Sequence, residues 1–224
     1  MTKFGKNVNI NNNVEFGKNV TIGNNVTIYP NVKIGDDVFI WDNCIIGRKP
    51  MSVQSNKRMI EYNEETIIES GSILGCNSVI YSGAHIGINN IIGDNAIIRE
   101  NVIFERDVVI GFNTSIQYNV LIGEKSRVLQ QACVSSFTQI GTNNFISPGF
   151  NCVSDRSFGE KGYEKDKVRG PVIGNFNNIG PGVTMVSNIK IGNNNIIGAH
   201  ALLTKNVEDN GIYFGVPAVR VKNR

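Results

Sequence analysis

The chain has 224 residues, of which 41% are hydrophobic and 18% charged, so it can build a core, and the disordered and fibrous classes are excluded. Its 22 basic and 19 acidic residues give a net charge of +3 without a clustered basic stripe, so we expect no nucleic-acid partner. No apolar run approaches the roughly 18 residues of a membrane span, and the N-terminus lacks an apolar signal core. We therefore expect a cytoplasmic protein with no membrane partner.

A six-residue repeat runs through most of the chain in three registers, over residues 4–46, 68–152 and 173–203. Each hexad begins with an inward aliphatic or aromatic residue, a spacing that neither a helix nor a simple strand produces. The chain also contains 32 Asn and 24 Gly, the two residues that adopt a positive φ most readily. The pattern predicts short strands joined by tight corners, with three hexads in each triangular coil and about nine coils in total.

The run Ile-Gly-x-Asn-x-x, as in residues 92–97 and 191–196, resembles the hexapeptide repeat of the left-handed parallel β-helix transferases. The resemblance implies an all-β fold with a left-handed parallel β-helix over residues 1–208 and a short C-terminal tail over 209–224. General topology rules favour right-handed crossovers. The left hand is therefore implied by the resemblance and not by the periodicity.

Two stretches, 47–67 and 153–172, interrupt the repeat. Each is about 20 residues long, which is uncommon for a structureless loop in a compact domain and indicates a function. The alternative is a decorative insertion, because a solenoid corner accepts extra residues at low cost. Their basic content favours anion binding, and in the first loop the expected phosphate ligands are Arg48, Lys49, Lys57 and Arg58.

The segments 80–83 and 93–102 look like those of the N-acyltransferases that act on nucleotide-linked amino dideoxysugars. The resemblance implies transfer of an acyl group from a coenzyme A thioester to the amine of a dTDP- or UDP-linked sugar, between the subunits of a homotrimer. It places the acceptor near Tyr81, Ser82 and Tyr118, beside the basic loop. In relatives we expect His where this chain has Asp94, so the identity of any base is open.

The candidate proton acceptors are Asp94, Glu100 and His85. Glu100 belongs to a column of residues 18 apart, which we expect to form an outward polar strip for substrate. The alternative to a proton-accepting role for Asp94 is a structural one, as a solvated corner residue. A further alternative is that the departing coenzyme A thiolate takes the proton, which leaves the carboxylates to orient the amine. The column consists of Ser82, Glu100, Tyr118 and Ser136.

The C-terminal segments 204–207 and 215–219 are similar to the ending that lines the nucleotide part of the cofactor in hexapeptide acyltransferases that use coenzyme A. Asn206, Val216 and Val219 depart from that pattern, which has Asp, Asn and Lys there. The resemblance implies acyl-coenzyme A as co-substrate. We expect its contacts at Gly180, Gly198, Ala199, Lys205, Pro217 and Arg220.

Several activities occur on a β-helix, and the residues exclude some of them. His85 and His200 are too few for the three imidazoles of a carbonic-anhydrase zinc site, so we expect no metal, and His200 occupies a corner position. The four cysteines show no CxxC pair, so we expect reduced thiols. Two alternatives stay open: O-acetylation of a sugar or serine hydroxyl, which needs a histidine base, and a non-catalytic scaffold. The trimer should cover outward apolar residues, namely Phe112, Tyr118 and Phe137.

Overall fold

A computed structural model describes residues 1–53, 58, 60–157, 160 and 168–224. Lys57, expected at the acceptor phosphates, lies outside the described residues. Within them the structure contains strands, turns and no helix. The predicted all-β architecture is therefore confirmed.

Successive strands are assigned in turn to three sheets, named A, B and C. Sheet A contains β1 (Lys3–Phe4), β4 (Thr21–Ile22), β7 (Phe39–Ile40), β10 (Ile73–Leu74), β13 (Ile91–Ile92), β16 (Val109–Ile110), β19 (Arg127–Val128), β22 (Phe145–Ile146), β25 (Asn178–Ile179), β28 (Ile196–Ile197), β30 (Gly211–Gly215) and β31 (Ala218–Asn223). Sheet B contains β2 (Asn9–Ile10), β5 (Thr27–Ile28), β8 (Ile45–Arg48), β11 (Val79–Tyr81), β14 (Ile97–Ile98), β17 (Ser115–Ile116), β20 (Cys133–Val134), β23 (Asn151–Cys152), β26 (Thr184–Met185) and β29 (Leu202–Leu203). Sheet C contains β3 (Val14–Phe16), β6 (Val32–Ile34), β9 (Thr66–Ile68), β12 (His85–Ile86), β15 (Ile103–Phe104), β18 (Leu121–Ile122), β21 (Gln139–Ile140), β24 (Val172–Ile173) and β27 (Lys190–Ile191).

Neighbouring strands in each sheet are parallel and come from successive coils. In sheet A, Ile73 pairs with Ile91 and Ile91 with Val109, a shift of one coil each time. The chain is therefore a parallel β-solenoid. The left-handed winding stays a prediction.

The expected number of about nine coils is wrong, because the solenoid has about 11 turns. The strands β1 to β29 alone nearly complete ten coils, and a bridge between Ile191 and Val207 supplies the missing side of the tenth. Strand β30 then begins another coil in sheet A. A count of complete hexads omits β8 and β23, because an inserted loop replaces the corner after each of these strands.

The core is a stack of the hexad-initial residues. Ile80, Ile98 and Ile116, one above another in sheet B, are fully buried. The residue that precedes each of them points outward, and Ile97 is 40% exposed. Burial of one aliphatic side chain per hexad, on each of three sides, supplies the hydrophobic stabilisation.

The corners are built on left-handed backbone conformations. Non-glycine corner residues, mostly Asn, have φ between 54° and 62°. The corner amides also bond along the axis, because the Asn7 side chain donates to that of Asn25 and Asn25 donates to Asn43. His200 has φ 55°, which confirms its corner position.

Each corner is named here by the sheets that it joins: AB, BC and CA. The first inserted loop connects β8 in sheet B to β9 in sheet C, and the second connects β23 to β24, again from sheet B to sheet C. Both loops therefore leave from the BC corner, several coils apart. Residues 209–224, expected as a tail, add β30 to sheet A beside β28, and β31 folds back antiparallel to β30.

We expect Asn113→Val to be less stable than Asn113→Gly by about 1–2 kcal/mol, since a left-handed conformation costs an L-residue that much and a β-branched one most. Asn113 is suited to this test because it has φ 54° and an exposed side chain. Urea denaturation of both variants measures the difference. Equal stabilities would contradict the role given to the corner conformation.

Candidate functional site

The BC corner between the two inserted loops carries polar and aromatic side chains on four successive coils. We call this set the BC strip. Arg58, from the first loop, packs against it. The strip consists of Tyr81, Ser82, Arg99, Glu100, Tyr118 and Ser136.

Glu100 is the centre of the strip and has no exposed surface. Arg99 donates from Nε to Glu100 Oε2 at 2.9 Å and from a terminal nitrogen to Oε1 at 3.3 Å. Arg58 also donates to Oε1. Burial raises the pKa of the Glu100 carboxyl, but the hydrogen bonds from Arg99 and Arg58 outweigh it and hold the pKa below its usual value. Glu100 is therefore an ionised acceptor of arginine hydrogen bonds at neutral pH.

The expectation of an outward polar column at Glu100 is wrong. Ser82 is 2% exposed, Tyr118 7% and Ser136 5%. Arg58 and Arg99 cover the Glu100 carboxylate, and Arg58 also lies over the Tyr118 ring. The 18-residue period placed the column correctly, but it could not show which side chains from elsewhere lie over it.

Two tyrosine rings support the arginines. The Arg58 guanidinium lies over the Tyr118 ring at 3.4 Å from its centroid. The guanidiniums of Arg99 and Arg48 lie 4.7 and 5.4 Å from the centroid of Tyr81. Such cation–π contacts favour a positive charge above a ring. Arg99 thus joins the predicted residues Arg48, Tyr81 and Tyr118, although no pattern in the sequence singles it out.

Tyr118 does not belong to the outward apolar set expected at a trimer contact. It is nearly buried and meets Phe137 edge to face, with the ring centroids 5.5 Å apart. Phe137 is half-buried, whereas Phe112 is 46% exposed. Of the three residues, only Phe112 presents a largely open ring.

Ser82 connects the strip to the start of the first loop. Its hydroxyl donates to the carbonyl of Gly47 at 2.9 Å, and its backbone N–H donates to the carbonyl of Arg48 at 3.0 Å. These bonds hold Arg48 at the end of β8, beside Tyr81. Lys49, the next residue, is exposed.

Asp94 lies on the AB corner, and the structure does not bring it together with Glu100. Its exposed carboxylate accepts a hydrogen bond from the backbone N–H of Cys76 at 2.7 Å. Asp36 makes the same bond to Lys18 in an earlier coil. Such a repeated contact is expected if Asp94 is a structural corner residue and not a proton acceptor.

His85 points outward from β12 in sheet C, close after the BC corner. Its Nε2 lies 2.5 Å from Glu69 Oε1, and the two side chains are 40% and 35% exposed. Glu69 also lines a surface groove of about 400 Å³ with Phe16, Lys33 and Ile88. Sequence reasoning missed Glu69, although a carboxylate follows Ile68 where most hexads have glycine.

The expected cofactor residues are divided between two corners and the C-terminal hairpin. Gly180, Gly198 and Ala199 lie on the AB corner, whereas the exposed Lys205 follows β29 at the BC corner. A side chain at Gly198 would collide with the ring of Phe214, so the hairpin already covers that glycine.

Two more expected cofactor residues, Pro217 and Arg220, belong to the hairpin of β30 and β31. Pro217 lies in the turn between these strands. Arg220 donates to the Glu208 carboxylate at 3.2 Å and to the carbonyl oxygens of Asp209 and Asn210. Its guanidinium therefore ties the hairpin to the last corner.

The described residues contain no cluster of three or more His, Cys, Asp or Glu side chains that could hold a metal ion. All four cysteines are free thiols. In the part of the chain that the structure describes, we find no helix whose length and apolar character would let it cross a bilayer.

The bacterial transferase hexapeptide family (six repeats) matches residues 1–34, 13–48 and 170–205. These segments make up less than half of the chain, at its start and near its end. The matched segments therefore carry the six-residue repeat that this family model describes. No curated protein matches the sequence.

Solved structures with the same kind of fold are similar to this chain at low identity. The LpxA structure from Acinetobacter baumannii is 18% identical, with 98% of this chain and 74% of that chain covered and a TM-score of 0.48. The hexapeptide-repeat acetyltransferase VCA0836 from Vibrio cholerae is 14% identical, with 52% and 70% covered and a TM-score of 0.46. Because both TM-scores are below 0.5, the functions of these proteins are not transferred to this chain.

We expect Glu100→Gln to lower the free energy of unfolding at pH 7 by roughly 1–3 kcal/mol, since two arginines then face a neutral amide. The lowered pKa of Glu100 adds stability above the ordinary carboxyl pKa, and this stability is lost as the pH falls through the lowered value. The difference between wild type and variant should therefore shrink in acid.

Urea denaturation at several pH values measures this difference. Glu124→Gln is the control, because Glu124 pairs with Lys125 at an exposed site and surface pairs contribute little. A Glu100→Gln variant as stable as the control at pH 7 would show that the arginine cluster does not depend on the carboxylate.

Proposed function

We propose that the protein is an N-acyltransferase that moves an acyl group from acyl-coenzyme A to the amine of a nucleotide-linked amino dideoxysugar, with dTDP or UDP as the nucleotide. The observation that carries the proposal is the arginine-rich BC strip, built between two inserted loops on a hexapeptide-repeat solenoid. Guanidinium groups bind phosphates through paired hydrogen bonds. The transferase family of the matching repeats supports group transfer as the reaction class.

The reaction joins the acceptor nitrogen to the thioester carbonyl carbon, and the carbon–sulfur bond then breaks. The nitrogen loses a proton, which goes either to a side chain or to the leaving thiolate. Glu100 is a poor base, because its arginine partners favour the ionised form and hold its pKa low, whereas a base works best with a pKa near the operating pH. The Asp94 carboxylate already accepts the corner hydrogen bond from the backbone N–H of Cys76, so it is not our choice of base.

His85 is the side chain best suited to accept that proton. Glu69 bonds one of its ring nitrogens, and a carboxylate in this position orients an imidazole. Both side chains are accessible on sheet C, so an acceptor amine can approach. In this proposal Asp94 has a structural role, and Glu100 accepts hydrogen bonds that hold Arg58 and Arg99 in place.

The working protein is a left-handed homotrimer with its active sites between subunits. Outward-facing apolar residues on the sheets support an assembly that covers them. Each of these residues is 40% to 46% exposed in the single chain: Ile91, Ile97, Ile103, Phe112 and Phe145.

Acyl-coenzyme A lies along the C-terminal coils in this proposal. Backbone groups near Gly180 and Ala199 meet the pantetheine arm, and Lys205 meets a phosphate. Gly198, Pro217 and Arg220 shape the hairpin beside this path, since Phe214 packs on Gly198 and Arg220 fixes the last corner.

One observation favours O-acylation as a second candidate function. A hydroxyl is a weaker nucleophile than an amine and needs a base, and the His85–Glu69 pair is such a base. A thiol-release assay with several acyl-coenzyme A donors, offered nucleotide amino sugars, plain sugars or serine, separates the two. Release with hydroxyl acceptors alone would replace the N-acyl proposal, and no release with any acceptor would favour a scaffold.

We expect Lys205→Ala to raise the KM for acyl-coenzyme A roughly tenfold or more, with little change in the acceptor KM, since it removes one charged contact to a phosphate. Lys18→Ala is the matched control, because Lys18 is an exposed lysine on an early coil. An unaltered donor KM in Lys205→Ala would remove Lys205 from the cofactor site.

We expect His85→Ala to lower kcat roughly 100-fold or more, because it removes the group that accepts the proton. Glu69→Gln should lower kcat less, since the imidazole remains. His200→Asn serves as the control, because Asn suits the same corner conformation. If His85→Ala keeps most of kcat while amines are acylated, the thiolate takes the proton.

A further inference from the structure

The BC strip brings three guanidinium groups together around one buried carboxylate. Arg48 and Arg99 both lie against the Tyr81 ring, and Arg58 lies on Tyr118. Arg99 pairs with Glu100, whereas Arg48 makes no ion pair with any described residue. Like charges held this close repel one another unless an anion lies between them.

The hydrogen bonds show which donors are left for that anion. Arg99 donates from Nε and one terminal nitrogen to Glu100, and its other terminal nitrogen makes no hydrogen bond to the described part of the chain. The Arg48 side chain has a ring contact and no hydrogen bond within the same residues. A guanidinium carries five N–H donors, so both arginines retain donors for a ligand.

The two guanidiniums are also spaced for one ligand. Their central carbons lie 4.7 and 5.4 Å from the same ring centroid, so they are at most about 10 Å apart. A diphosphate with a hydrogen bond at each end spans a gap of this order. The Tyr81 ring keeps both guanidiniums in orientation and excludes water from one side of each.

We propose that Arg99 and Arg48, held on the Tyr81 ring, bind the diphosphate of the acceptor, and that the buried Glu100 is a positioning residue that fixes Arg99. This assignment rests on the proposed function, and it adds Arg99 as a specificity-determining residue for phosphate-bearing acceptors. Glu100 touches neither the amine nor the thioester. Its two bonds to Arg99 set the direction of the remaining donors.

The test is direct binding of dTDP, UDP and inorganic pyrophosphate to the full chain by isothermal titration calorimetry, without an acyl donor. Arg99→Gln and Arg48→Gln should each weaken diphosphate binding roughly tenfold to a hundredfold, since each removes charged hydrogen bonds. Arg99→Lys should restore only part of the loss, because an ammonium lacks the planar fork. Arg127→Gln, which changes an exposed arginine on sheet A, is the control and should bind like wild type.

Arg48→Gln leaves the ion pairs of Glu100 intact, since the Arg48 side chain makes no bond to Glu100. A loss of diphosphate binding in this variant is therefore not explained by misfolding. Glu100→Gln distinguishes positioning from catalysis. As a positioning residue, it should raise the acceptor KM and the diphosphate Kd while the pH profile of kcat keeps its acidic limb. Loss of that limb together with a kcat loss would make Glu100 the base and overturn its assignment.

The outcomes separate this inference from the proposed function. Acyl transfer to nucleotide amino sugars with diphosphate binding unchanged in Arg99→Gln and Arg48→Gln would overturn the inference alone. Diphosphate binding that depends on both arginines, without transfer to any amine, would uphold the anion site and reject the N-acyltransferase.

Discussion

The positive φ at the corners is the constraint on which the rest of the structure depends. A side of the prism has only two or three residues in strand conformation, so the chain must turn sharply after each one. Asn and Gly accept the left-handed conformation that makes such a turn. Because the corners recur every six residues, coils stack in register, and each strand completes its hydrogen bonds with the strand one coil away.

The same regularity explains why chemistry is confined to a few places. Most positions in a coil have a structural task, either in the core, at a corner or in a ladder of side-chain amides. Functional side chains can occupy outward positions or the insertions that a corner tolerates. Both insertions use the BC corner, and the coils between them carry the buried carboxylate, the tyrosine rings and Arg99. Arg48 and Arg58 reach this region from the end of β8 and from the first loop.

Charge balance divides that region into two parts. Glu100 is enclosed and bound by guanidiniums that hold its pKa low, so it stays ionised near neutral pH. The His85–Glu69 pair on sheet C is accessible and has one orienting bond. The function proposed above assigns phosphate binding to the first part and proton acceptance to the second, because its acceptor carries both a phosphate group and a reactive amine.

Residue spacing alone determined the parallel β-solenoid, its three-sided coils and the positions of both loops, because a six-residue period is a local property that each hexad repeats. It also placed Tyr81, Glu100 and Tyr118 in neighbouring coils. Only the tertiary structure decided that Arg58 and Arg99 bury Glu100, that Asp94 lies on another corner, and that Glu69 meets His85. Those contacts depend on the direction of long side chains and on where a loop returns, which periodicity does not encode. The number of turns was likewise decided only by the tertiary structure, because each inserted loop replaces a corner and leaves the strands on either side intact.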